Sequence, residues 1–477
     1  MDPSAQTDFS AFFNVINNKL CASLQTTHGI NPANLQRNPD VPVCNHDDLD
    51  YAVIYARKAH RDWSKSSIQK RRIALHALSD DLADHKDDFV KLLTQEQGKP
   101  HSQASIEITM AMKWLKELCA IQLPETVVID DDDSQVIERY VPLGVVAGIV
   151  PWNFPVLLAI GKIASAVYTG NSVIIKPSPF TPYCALKLGE LAAKVFPPGL
   201  IQVLNGDDSL GPWITSHPGI DKISFTGSTE TGKLVLASSA KTLKRVTLEL
   251  GGNDPAIVCE DVDIDDIVPK LATLCFLNSS QVCMMIKRLY IHEKIYDRFR
   301  TAFVEYTASL KVGNGTEPST FFGPIQNAMQ YAKLKELIYS VKSEGLSVAL
   351  GGAVTESEGL YIHPTIVDNP PESSRIVQEE PFGPIIPLMR WSNEGDVIAR
   401  ANSTKSGLGA SVWSKDLKRA SEIGKQLQAG SVWINSHFEV APNASIGGHK
   451  WSGIGSEWGM SGLVSYCNLQ TLWHKKR

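Results

Sequence analysis

The sequence predicts an α/β protein built around a doubly wound parallel sheet, because short apolar runs alternate with helical stretches along much of the chain. The runs are rich in Val and Ile, and helix-like stretches such as 182–196 and 231–239 separate them. Strands that alternate with helices form parallel sheets covered on both faces. Such sheets bind ligands beyond the carboxyl ends of their strands. The strands predicted on this pattern are 144–150, 172–175, 201–204, 222–225 and 246–250.

A second α/β domain is expected because the alternation resumes after Gly252. The chain has 477 residues, whereas a single hydrophobic core stops growing at roughly 250–300. A helix near 263–278 opens the second alternation. The strands predicted after it are 288–292, 409–413 and 430–434, with helices between them.

The part of the chain before the first sheet divides into three kinds of segment. Residues 1–45 are polar and are expected to be irregular. A helix is predicted to begin at Asn45–Asp48, whose side chains can cap it, and helical patterning continues to about Leu118. Two strands, 125–129 and 135–140, flank the acidic turn 130–133 and form a predicted hairpin.

Composition argues against two classes of partner. Lys and Arg total 46 against 51 Asp and Glu, which gives a net charge of −5. Proteins that coat nucleic acid or anionic lipid are normally basic. The uncharged run 141–161 contains three prolines, so we interpret it as a strand, a turn and the start of a helix rather than a membrane span. We therefore expect neither a nucleic acid nor a membrane as partner.

Cysteine usage predicts a reducing compartment and no metal site. The eight cysteines include no C-x-x-C pair, which argues against a zinc site. Their scatter is typical of free thiols rather than of a disulfide framework. The first residues lack the basic and apolar regions of a secretory signal. A cytoplasmic location is expected.

The glycine-containing turn after the fourth predicted strand is close to a phosphate-binding loop. Residues 226–233 read TGSTETGK, but the next residue is Leu234, which offers no hydroxyl to magnesium. What remains is a small-residue turn at the start of a helix, where free amides and the helix dipole suit an anion such as pyrophosphate. A purely structural turn fits the same residues, so both interpretations stay open at this point.

Three further residues carry chemistry that the residues alone leave ambiguous. Asn153 lies in PWNFP, where prolines restrict the backbone; its amide either faces a developing oxyanion or merely satisfies loop neighbours. Glu249 ends an apolar strand, where desolvation would raise its pKa toward the range of a general base, although an ion-paired Glu would look the same. Cys283 lies at the end of a predicted helix and is either a nucleophile or a small buried hydrophobe.

Together these motifs resemble those of the aldehyde dehydrogenase superfamily. Seven of them stand in the family's order, and the resemblance runs from about Ile30 to the C-terminus. The interval of 34 residues between Glu249 and Cys283 is also that of the family. The motifs are PWNFP (151–155), KPSPFTP (176–182), FTGSTETGK (225–233), LELGG (248–252), SQVC (280–283), EEPFGP (379–384) and GGHKWSGIGSEWG (447–459).

The resemblance implies a catalytic role for three residues. Cys283 corresponds to the nucleophile that forms a thiohemiacetal and then a thioester. Asn153 and the backbone amide of Cys283 correspond to the oxyanion hole. Glu249 corresponds to the base that activates water to hydrolyse the thioester.

The resemblance also implies a nicotinamide cofactor, NAD or NADP. Lys176 corresponds to the contact with the adenosine ribose. Gly227 and Ser228 correspond to the pyrophosphate turn, and Glu380 and Phe382 to the contacts with the nicotinamide ribose. The full set of implied cofactor residues is Trp152, Lys176, Ser178, Pro179, Gly227, Ser228, Glu380 and Phe382.

A domain organisation and an oligomer follow from the same resemblance. Residues 1–123 and 143–250 correspond to a dinucleotide-binding domain, and residues 251–450 to a catalytic domain. Residues 124–142 and 451–477 correspond to a small β flap used in oligomerisation, with its last strand near 464–473. A homodimer or a homotetramer is therefore implied.

Three departures from the family's pattern modify these expectations. Pro179 stands where many members carry a Glu that would repel the 2′-phosphate of NADP, so use of both NAD and NADP is expected. Ser280 stands where Gly is common and is expected to crowd the site. Ile446 replaces a common Phe near the substrate entrance.

The substrate pocket is expected to be a roomy apolar channel, because Gly161 has no side chain and Ile446 is not aromatic. Aldehydes with medium aliphatic or aromatic groups are then expected to react better than acetaldehyde. The residues expected to line the channel are Phe154, Leu158, Gly161, Val282, Met284 and Ile446.

The expected function is oxidation of an aldehyde, a small molecule, to a carboxylic acid with NAD or NADP. One alternative is a dehydrogenase that passes the acyl group to coenzyme A, a route that needs no water-activating base such as Glu249. A phosphate-loop NTPase is disfavoured by Leu234. A non-catalytic binding protein on the same scaffold is disfavoured by the presence of Cys283, Glu249 and Asn153.

Overall fold

The computed structural model describes residues 7–355 and 357–476. Its first part consists of short strands followed by long helices. They are β1 (Asn14–Ile16), β2 (Lys19–Cys21), β3 (Thr26–Ile30), β4 (Arg37–Pro42), α1 (His46–Trp63), α2 (Ile68–Asp84), α3 (Lys86–Gln97) and α4 (His101–Glu117).

The start of α1 agrees with the prediction, whereas the N-terminal segment does not. The Asn45 side chain accepts a hydrogen bond from the backbone N–H of Asp48, whose carboxylate accepts one from the N–H of Asn45. The expectation that residues 1–45 are irregular is wrong for the described part, because β1 to β4 lie there; residues 1–6 lie outside the described residues. β1 pairs with the distant β9, where Val203 lies opposite Val15, whereas β2 pairs with β1 and β3 with β4 nearby in the chain; the polar composition of these short segments does not reveal such pairing.

The middle of the chain confirms the predicted alternation of strands and helices. The uncharged run 141–161 ends one strand, forms the next, turns and begins a helix, and none of the described helices is long and apolar enough to cross a membrane. The elements are β5 (Glu125–Asp130), β6 (Ser134–Pro142), β7 (Val145–Ile149), α5 (Pro155–Tyr168), β8 (Ser172–Lys176), α6 (Tyr183–Val195), β9 (Ile201–Val203), α7 (Leu210–Ser216), β10 (Lys222–Thr226), α8 (Thr229–Ala240) and β11 (Arg245–Glu249).

The alternation continues in the last part of the chain, as predicted. The strands are β12 (Asp254–Val258), β13 (Ile286–His292), β14 (Lys311–Val312), β15 (Thr320–Phe322), β16 (Val348–Leu350), β17 (Thr365–Asp368), β18 (Ile385–Trp391), β19 (Ser406–Gly407), β20 (Gly409–Trp413), β21 (Ser431–Ile434), β22 (His449–Lys450), β23 (Gly453–Ile454) and β24 (Cys467–Lys475). The helices are α9 (Ile264–Phe276), α10 (Tyr296–Ser309), α11 (Ala328–Ser343), α12 (Arg375–Gln378), α13 (Glu394–Ala401), α14 (Leu417–Gly424) and α15 (Gly459–Val464).

The first large sheet is doubly wound. Its strand order is β2-β1-β9-β8-β7-β10-β11-β23, in which β9, β8, β7, β10 and β11 are parallel. From β7 the chain moves outward to β8 and β9, and then to β10 and β11 on the other side. The order reverses between β7 and β10, which is where sheets of this kind bind ligands.

The second large sheet has the order β16-β17-β18-β13-β12-β20-β21 and is parallel except for β16. A separate antiparallel sheet has the order β24-β6-β5, and β24 pairs with β6 along its whole length. The predicted hairpin of β5 and β6 is confirmed. The last strand begins at Cys467, slightly later than predicted.

Residues 250–253 join the two large sheets, because β11 ends at Glu249 and β12 begins at Asp254. The end of β11 is also held from its other edge by β23, where Gly453 lies opposite Glu249. The N–H of Leu250 donates to the carbonyl of Ser452 at 2.9 Å. Glu249 therefore sits at a fixed position where one sheet ends and the other begins.

Candidate active site

Cys283 and Glu249 meet at the boundary of the two large sheets. The Cys283 thiol donates a hydrogen bond to Oε1 of Glu249, with Sγ and Oε1 3.0 Å apart. Glu249 ends β11 in the first sheet, and Cys283 lies shortly before β13 in the second. The expectation that Cys283 ends a helix is wrong, because α9 stops at Phe276 and a 3₁₀ turn, Leu277–Ser280, follows it.

That turn is built from unusual backbone conformations. Asn278, Ser279 and Ser280 have φ values of 53°, 52° and 61°, in the left-handed region that most residues other than glycine avoid. The N–H of Asn278 donates to Oε1 of Gln103 at 2.8 Å, which helps to hold the turn. Ser280 thus occupies a position where glycine would be relaxed, so the departure noted in the sequence coincides with backbone strain next to Cys283.

Burial raises the pKa of both partners of the thiol–carboxylate contact. Desolvation raises the pKa of the Cys283 thiol well above its ordinary value, the Glu249 carboxylate raises it further, and the Lys287 ammonium opposes the rise. Desolvation also raises the pKa of Glu249, against the hydrogen bond from Cys283 and the charge of Lys162. The resting pair is a protonated thiol with an acceptor for its proton already in contact.

A buried lysine lies behind Glu249. Nζ of Lys162 donates to Oγ of Ser224 at 2.8 Å, and to Oγ1 of Thr226 and Oε1 of Glu457 at 3.1 Å. Although burial acts in the opposite direction, the Lys162 charge holds the pKa of Glu457 below its ordinary value. Sequence analysis missed this cluster because Lys162 and Glu457 are 295 residues apart and no local pattern links them.

Asn153 faces the same cavity as Cys283 and Glu249, with its amide fixed. Its Nδ2 donates to the carbonyl of Gln281 at 2.9 Å, and its backbone carbonyl accepts from Nζ of Lys99 at 2.8 Å. An amide nitrogen carries two hydrogens, so Asn153 keeps a second donor for another acceptor. Because only 4% of this residue is exposed, that donor is shielded from bulk water.

A buried ion pair fixes both the Asn153 backbone and the start of α5. Lys99 and Glu107 form the pair, with 1% and 0% of their side chains exposed. Oε1 of Glu107 accepts hydrogen bonds from the N–H groups of Val156 at 2.9 Å and Leu157 at 3.2 Å, which have no partner within the helix. Sequence analysis did not identify this pair, because only the fold brings it behind the PWNFP turn.

The cavity that contains Cys283, Glu249 and Asn153 is small and apolar. Its volume is about 30 Å³, room for about two water molecules. The expectation of a roomy channel is therefore wrong. Five of the six predicted pocket residues line the cavity: Phe154, Leu158, Val282, Met284 and Ile446. Residues that the sequence analysis did not name also line it: Leu157, Phe438, Val440 and Trp458.

The sixth predicted pocket residue, Gly161, does not line the cavity, because the indole of Trp458 lies against it. A Cβ atom at Gly161 would come within 2.5 Å of Nε1 of Trp458. The space left by the absent side chain of Gly161 is therefore filled by the Trp458 indole and not by substrate. A sequence cannot distinguish these two uses of glycine, since the residue that fills the space comes from a distant segment.

A second cavity, of about 480 Å³, opens at the carboxyl ends of β7, β8 and β10. Lys176, the last residue of β8, lines it, and burial lowers the pKa of this lysine to about 8 while Asp208 and Asp207 oppose the shift. Nζ of Lys176 donates to the carbonyl of Pro177 at 3.2 Å, which leaves two of its three hydrogens for a ligand. Asp207 and Asp208, which the sequence analysis did not name, line the same cavity.

Ser178 and Pro179 lie next to Lys176 but are not among the residues that line this cavity. Ser178 is buried, and its Oγ accepts a hydrogen bond from the N–H of Phe180 at 3.3 Å. Pro179 is partly exposed. Of the motif 176–182, Lys176 is therefore the residue that lines this cavity.

Gly227 and Ser228 form the turn between β10 and α8. Ser228 caps the helix, since its Oγ accepts from the N–H of Thr231 at 3.2 Å. Gly227 packs on the ring of Phe225, where a Cβ atom would approach ring carbons to 2.5 Å. Lys233 forms an exposed ion pair with Glu230. The lysine of a phosphate loop would instead point to the phosphate-binding side of the turn. The turn and the start of α8 therefore suit an anion, but the site lacks the lysine and hydroxyl arrangement of a phosphate-loop NTPase.

Trp152, Phe382 and Glu380 lie near the link between the two sheets. The rings of Trp152 and Phe382 meet edge to face, with centroids 5.3 Å apart. Oε1 of Glu380 accepts from the N–H of Gly252 at 3.1 Å and lies 3.5 Å from Nζ of Lys287. Burial raises the pKa of Glu380, against the charge of Lys287 and the Gly252 hydrogen bond.

Comparison with known proteins gives one consistent result. Residues 21–472 match the model of the aldehyde dehydrogenase family. The chain is 41% identical to the putative aldehyde dehydrogenase FUS7 of Gibberella fujikuroi, over 97% of this chain and 98% of that protein. A solved NAD+ complex of an aldehyde dehydrogenase from Bacillus cereus superposes with a TM-score of 0.95 at 31% identity, covering 98% of this chain and 97% of that one. Betaine aldehyde dehydrogenase from Staphylococcus aureus in complex with NAD+ superposes with a TM-score of 0.94 at 30% identity, covering 97% and 95%.

The raised pKa of the Cys283 thiol predicts slow alkylation at neutral pH. Iodoacetamide reacts with the thiolate, so in the cofactor-free enzyme the rate at Cys283 should rise continuously from pH 6 to pH 9.5 without a plateau. Peptide mass spectrometry locates the label, and Cys283→Ala provides the control for the other cysteines. A plateau below pH 8 would contradict the electrostatic description of the pair.

Proposed function

Because the chain belongs to the aldehyde dehydrogenase family, we propose that Cys283 and Glu249 carry out the family's oxidation of an aldehyde to a carboxylic acid. The chain is an NAD-linked oxidoreductase of this family. The observation that carries the assignment of residues is the hydrogen bond of 3.0 Å between Sγ of Cys283 and Oε1 of Glu249. It brings a nucleophile into contact with a base inside a cavity of low polarity.

In the first half of the proposed reaction, Glu249 takes the thiol proton and the sulfur attacks the aldehyde carbon. A C–S bond forms while the carbonyl π pair moves onto oxygen, which gives a thiohemiacetal anion. The free N–H of Asn153 and the backbone N–H of Cys283 donate to that oxygen. A bound nicotinamide supplies the acceptor for hydride, and loss of hydride from the thiohemiacetal carbon leaves a thioester.

The second half hydrolyses the thioester. Glu249 first releases the thiol proton to solvent and then removes a proton from water, the hydroxide oxygen bonds to the acyl carbon, and the C–S bond breaks to release the acid and the thiolate, which takes its proton back from Glu249. Because Glu249 is desolvated, its raised pKa makes it a stronger proton acceptor than an exposed carboxylate. Transfer to coenzyme A needs no such base, so the position of Glu249 favours hydrolysis.

The lining of the cavity supports a neutral, apolar aldehyde as substrate. Apart from Glu249 and Cys283, the described residues that line it are the amide of Asn153 and apolar or aromatic side chains. A charged substrate group would lose its hydration there without gaining an ionic partner. The medium aliphatic or aromatic aldehydes expected from the sequence fit this polarity, within the limit on size that the small cavity sets.

The second cavity, with the residues beside it and those near the link between the sheets, fits a nicotinamide dinucleotide. Lys176, with two unused hydrogens, would hold the adenosine ribose, next to Ser178 and Pro179. Gly227 and Ser228 at the start of α8 would hold the pyrophosphate. Trp152, Glu380 and Phe382 would contact the nicotinamide end.

We infer that NAD and NADP are both used, with NAD preferred. Pro179 offers no carboxylate to repel a 2′-phosphate, whereas Asp207 and Asp208 line the cavity beside Lys176. Two unit charges about 4 Å apart interact by about 1 kcal/mol in water and by about 4 kcal/mol at an effective dielectric constant near 20. Because Asp207 and Asp208 are exposed, their repulsion of a 2′-phosphate is near the value for water. They therefore favour NAD over NADP without excluding NADP.

The domain division expected from the sequence is also proposed for this chain, with residues 1–123 and 143–250 binding cofactor and residues 251–450 carrying the nucleophile. Residues 124–142 and 451–477 would form a flap for a homodimer or homotetramer; Arg477 lies outside the described residues. The sheet of β5, β6 and β24 supports this, because Val127, Leu469 and Trp473 are exposed on it. The unpaired cysteines support a cytosolic location, which cell fractionation would test.

Replacement of the two reacting residues should separate the half reactions. Cys283→Ala should abolish formation of NADH while leaving cofactor affinity unchanged, because Cys283 is the one thiol among the described residues that line the cavity. Glu249→Gln should give a burst of NADH that forms more slowly than in the wild type, because the Cys283 thiol then loses its proton to solvent, and a steady-state rate that falls at least tenfold further because hydrolysis has lost its base, both measured by stopped-flow absorbance. Wild-type turnover in Cys283→Ala would refute the assignment. A steady-state rate in Glu249→Gln that falls no further than the rate of the burst would refute its role in hydrolysis.

The cofactor proposal predicts values of kcat/KM for NAD and NADP within about a hundredfold, equivalent to about 2.8 kcal/mol. Pro179→Glu should move the ratio toward NAD by about tenfold, and Asp208→Asn should move it toward NADP. Initial rates with saturating aldehyde give both ratios. A wild-type preference beyond about a thousandfold in either direction would mean that other residues decide the choice.

The flap proposal predicts that Trp473→Arg lowers the mass of the assembly, because a charge replaces an exposed indole on β24. Light scattering after gel filtration should give two or four chain masses for the wild type and fewer for the variant. Tyr339→Arg, at an exposed position on α11, is the matched control. A monomeric wild type, or an unchanged mass for Trp473→Arg, would contradict the proposal.

A further inference from the structure

We propose that Trp458 forms the inner wall of the aldehyde site and limits the length of the aldehyde that the enzyme accepts. The inference rests on the proposed function of Cys283 and concerns the same cavity. Trp458 lines this cavity together with Cys283, Asn153 and Glu249. It belongs to none of the groups that react with the aldehyde, so its contribution is to specificity.

Burial separates the two ends of the cavity. Leu158, Phe438 and Val440 are partly exposed and therefore lie toward solvent. Trp458 is 5% exposed, and Met284 is 2% exposed, so both lie at the inner end. An aldehyde whose carbonyl reaches Cys283 and whose chain points inward would meet the indole of Trp458.

Trp458 occupies its position because Gly161 leaves room for it. The ideal Cβ position of Gly161 is 2.5 Å from Nε1 of the indole, so any side chain at residue 161 would overlap Trp458. The indole is also packed edge to face against Trp114, with centroids 4.8 Å apart. Residues 161 and 458 thus compete for one volume, which here belongs to the side chain at residue 458.

The backbone of Trp458 is held in a costly conformation. Its φ of 57° and ψ of 177° lie in a region used almost solely by glycine. Neighbouring hydrogen bonds impose it: the N–H of Glu457 donates to the carbonyl of Ile446 at 2.8 Å, and the N–H of Gly459 donates to the carbonyl of Pro442 at 2.9 Å. Strain of this kind persists where the surrounding structure fixes it and clusters at active sites.

The wall predicts a limit on unbranched apolar aldehydes. Each methylene that moves from water into an apolar site raises kcat/KM by about fourfold, so the gain should stop at the length where the chain reaches the indole. Removal of the indole should extend the apolar site toward Gly161 and Trp114. The chain length up to which each added methylene still raises kcat/KM should then increase by several carbons.

The test is kcat/KM for unbranched aldehydes from two to twelve carbons, in the wild type and in Trp458→Gly. Glycine also relaxes the positive φ, so the change removes the wall without adding backbone strain. We expect the wild type to reach a plateau early and Trp458→Gly to continue rising by about fourfold per methylene over several more carbons. Trp458→Phe keeps a ring against Trp114 and should show a smaller shift of the plateau in the same direction.

The control is the double variant Gly161→Trp with Trp458→Gly, which supplies the indole from α5 instead. Its plateau should return toward that of the wild type, because the same volume is filled from the other side. The proposal would be overturned if Trp458→Gly were active and its kcat/KM depended on chain length as in the wild type. It would also be overturned if the double variant showed the same dependence on chain length as Trp458→Gly. The proposed function fails separately, if no aldehyde in the series yields NADH with the wild type.

Discussion

The hydrogen bond from Cys283 to Glu249 crosses the boundary between the two large sheets, and the proposed chemistry depends on it. Each partner is fixed by its own sheet: β23 holds the end of β11, and Nζ of Lys287 donates to the carbonyl of Cys283 at 2.7 Å. The short link 250–253 keeps the two sheets in register at this point. Cys283 and Glu249 therefore come into contact because the sheets meet, without any local motif that contains both.

Buried charges surround this contact on two sides. The pair of Lys99 and Glu107 holds Asn153, and the pair of Lys162 and Glu457 lies behind Glu249. Such pairs contribute little net stability, but loss of one partner costs about 3–5 kcal/mol because the other charge stays buried and unpaired. The first pair fixes the backbone of Asn153, and the charge of Lys162 in the second lowers the pKa of Glu249 against its desolvation.

Most of the fold could be predicted from the sequence, because alternating apolar runs and helices are local patterns. The five parallel strands of the first sheet, β7 to β11, and the capping of α1 at Asn45 agree closely with the prediction. The N-terminal strands were not predicted because β2, β3 and β4 are short and rich in polar residues, and because β1 takes its place in the sheet through the distant β9. At the site, the motifs predicted Cys283 and Glu249, which the structure brings into contact, whereas no sequence pattern linked Lys99 to Glu107 or Trp458 to Gly161. The error at Gly161 has the same origin, since the indole that fills its space comes from a segment almost 300 residues later.

Direct detection of the acyl group on Cys283 tests the central claim most directly. Glu249→Gln enzyme, mixed with NAD and a simple apolar aldehyde and quenched in acid, should gain the mass of one acyl group, and peptide analysis should place it on Cys283. The wild type treated in the same way should carry much less, because Glu249 drives hydrolysis. Absence of the adduct from a variant that still forms NADH, or its presence on another residue, would contradict the account.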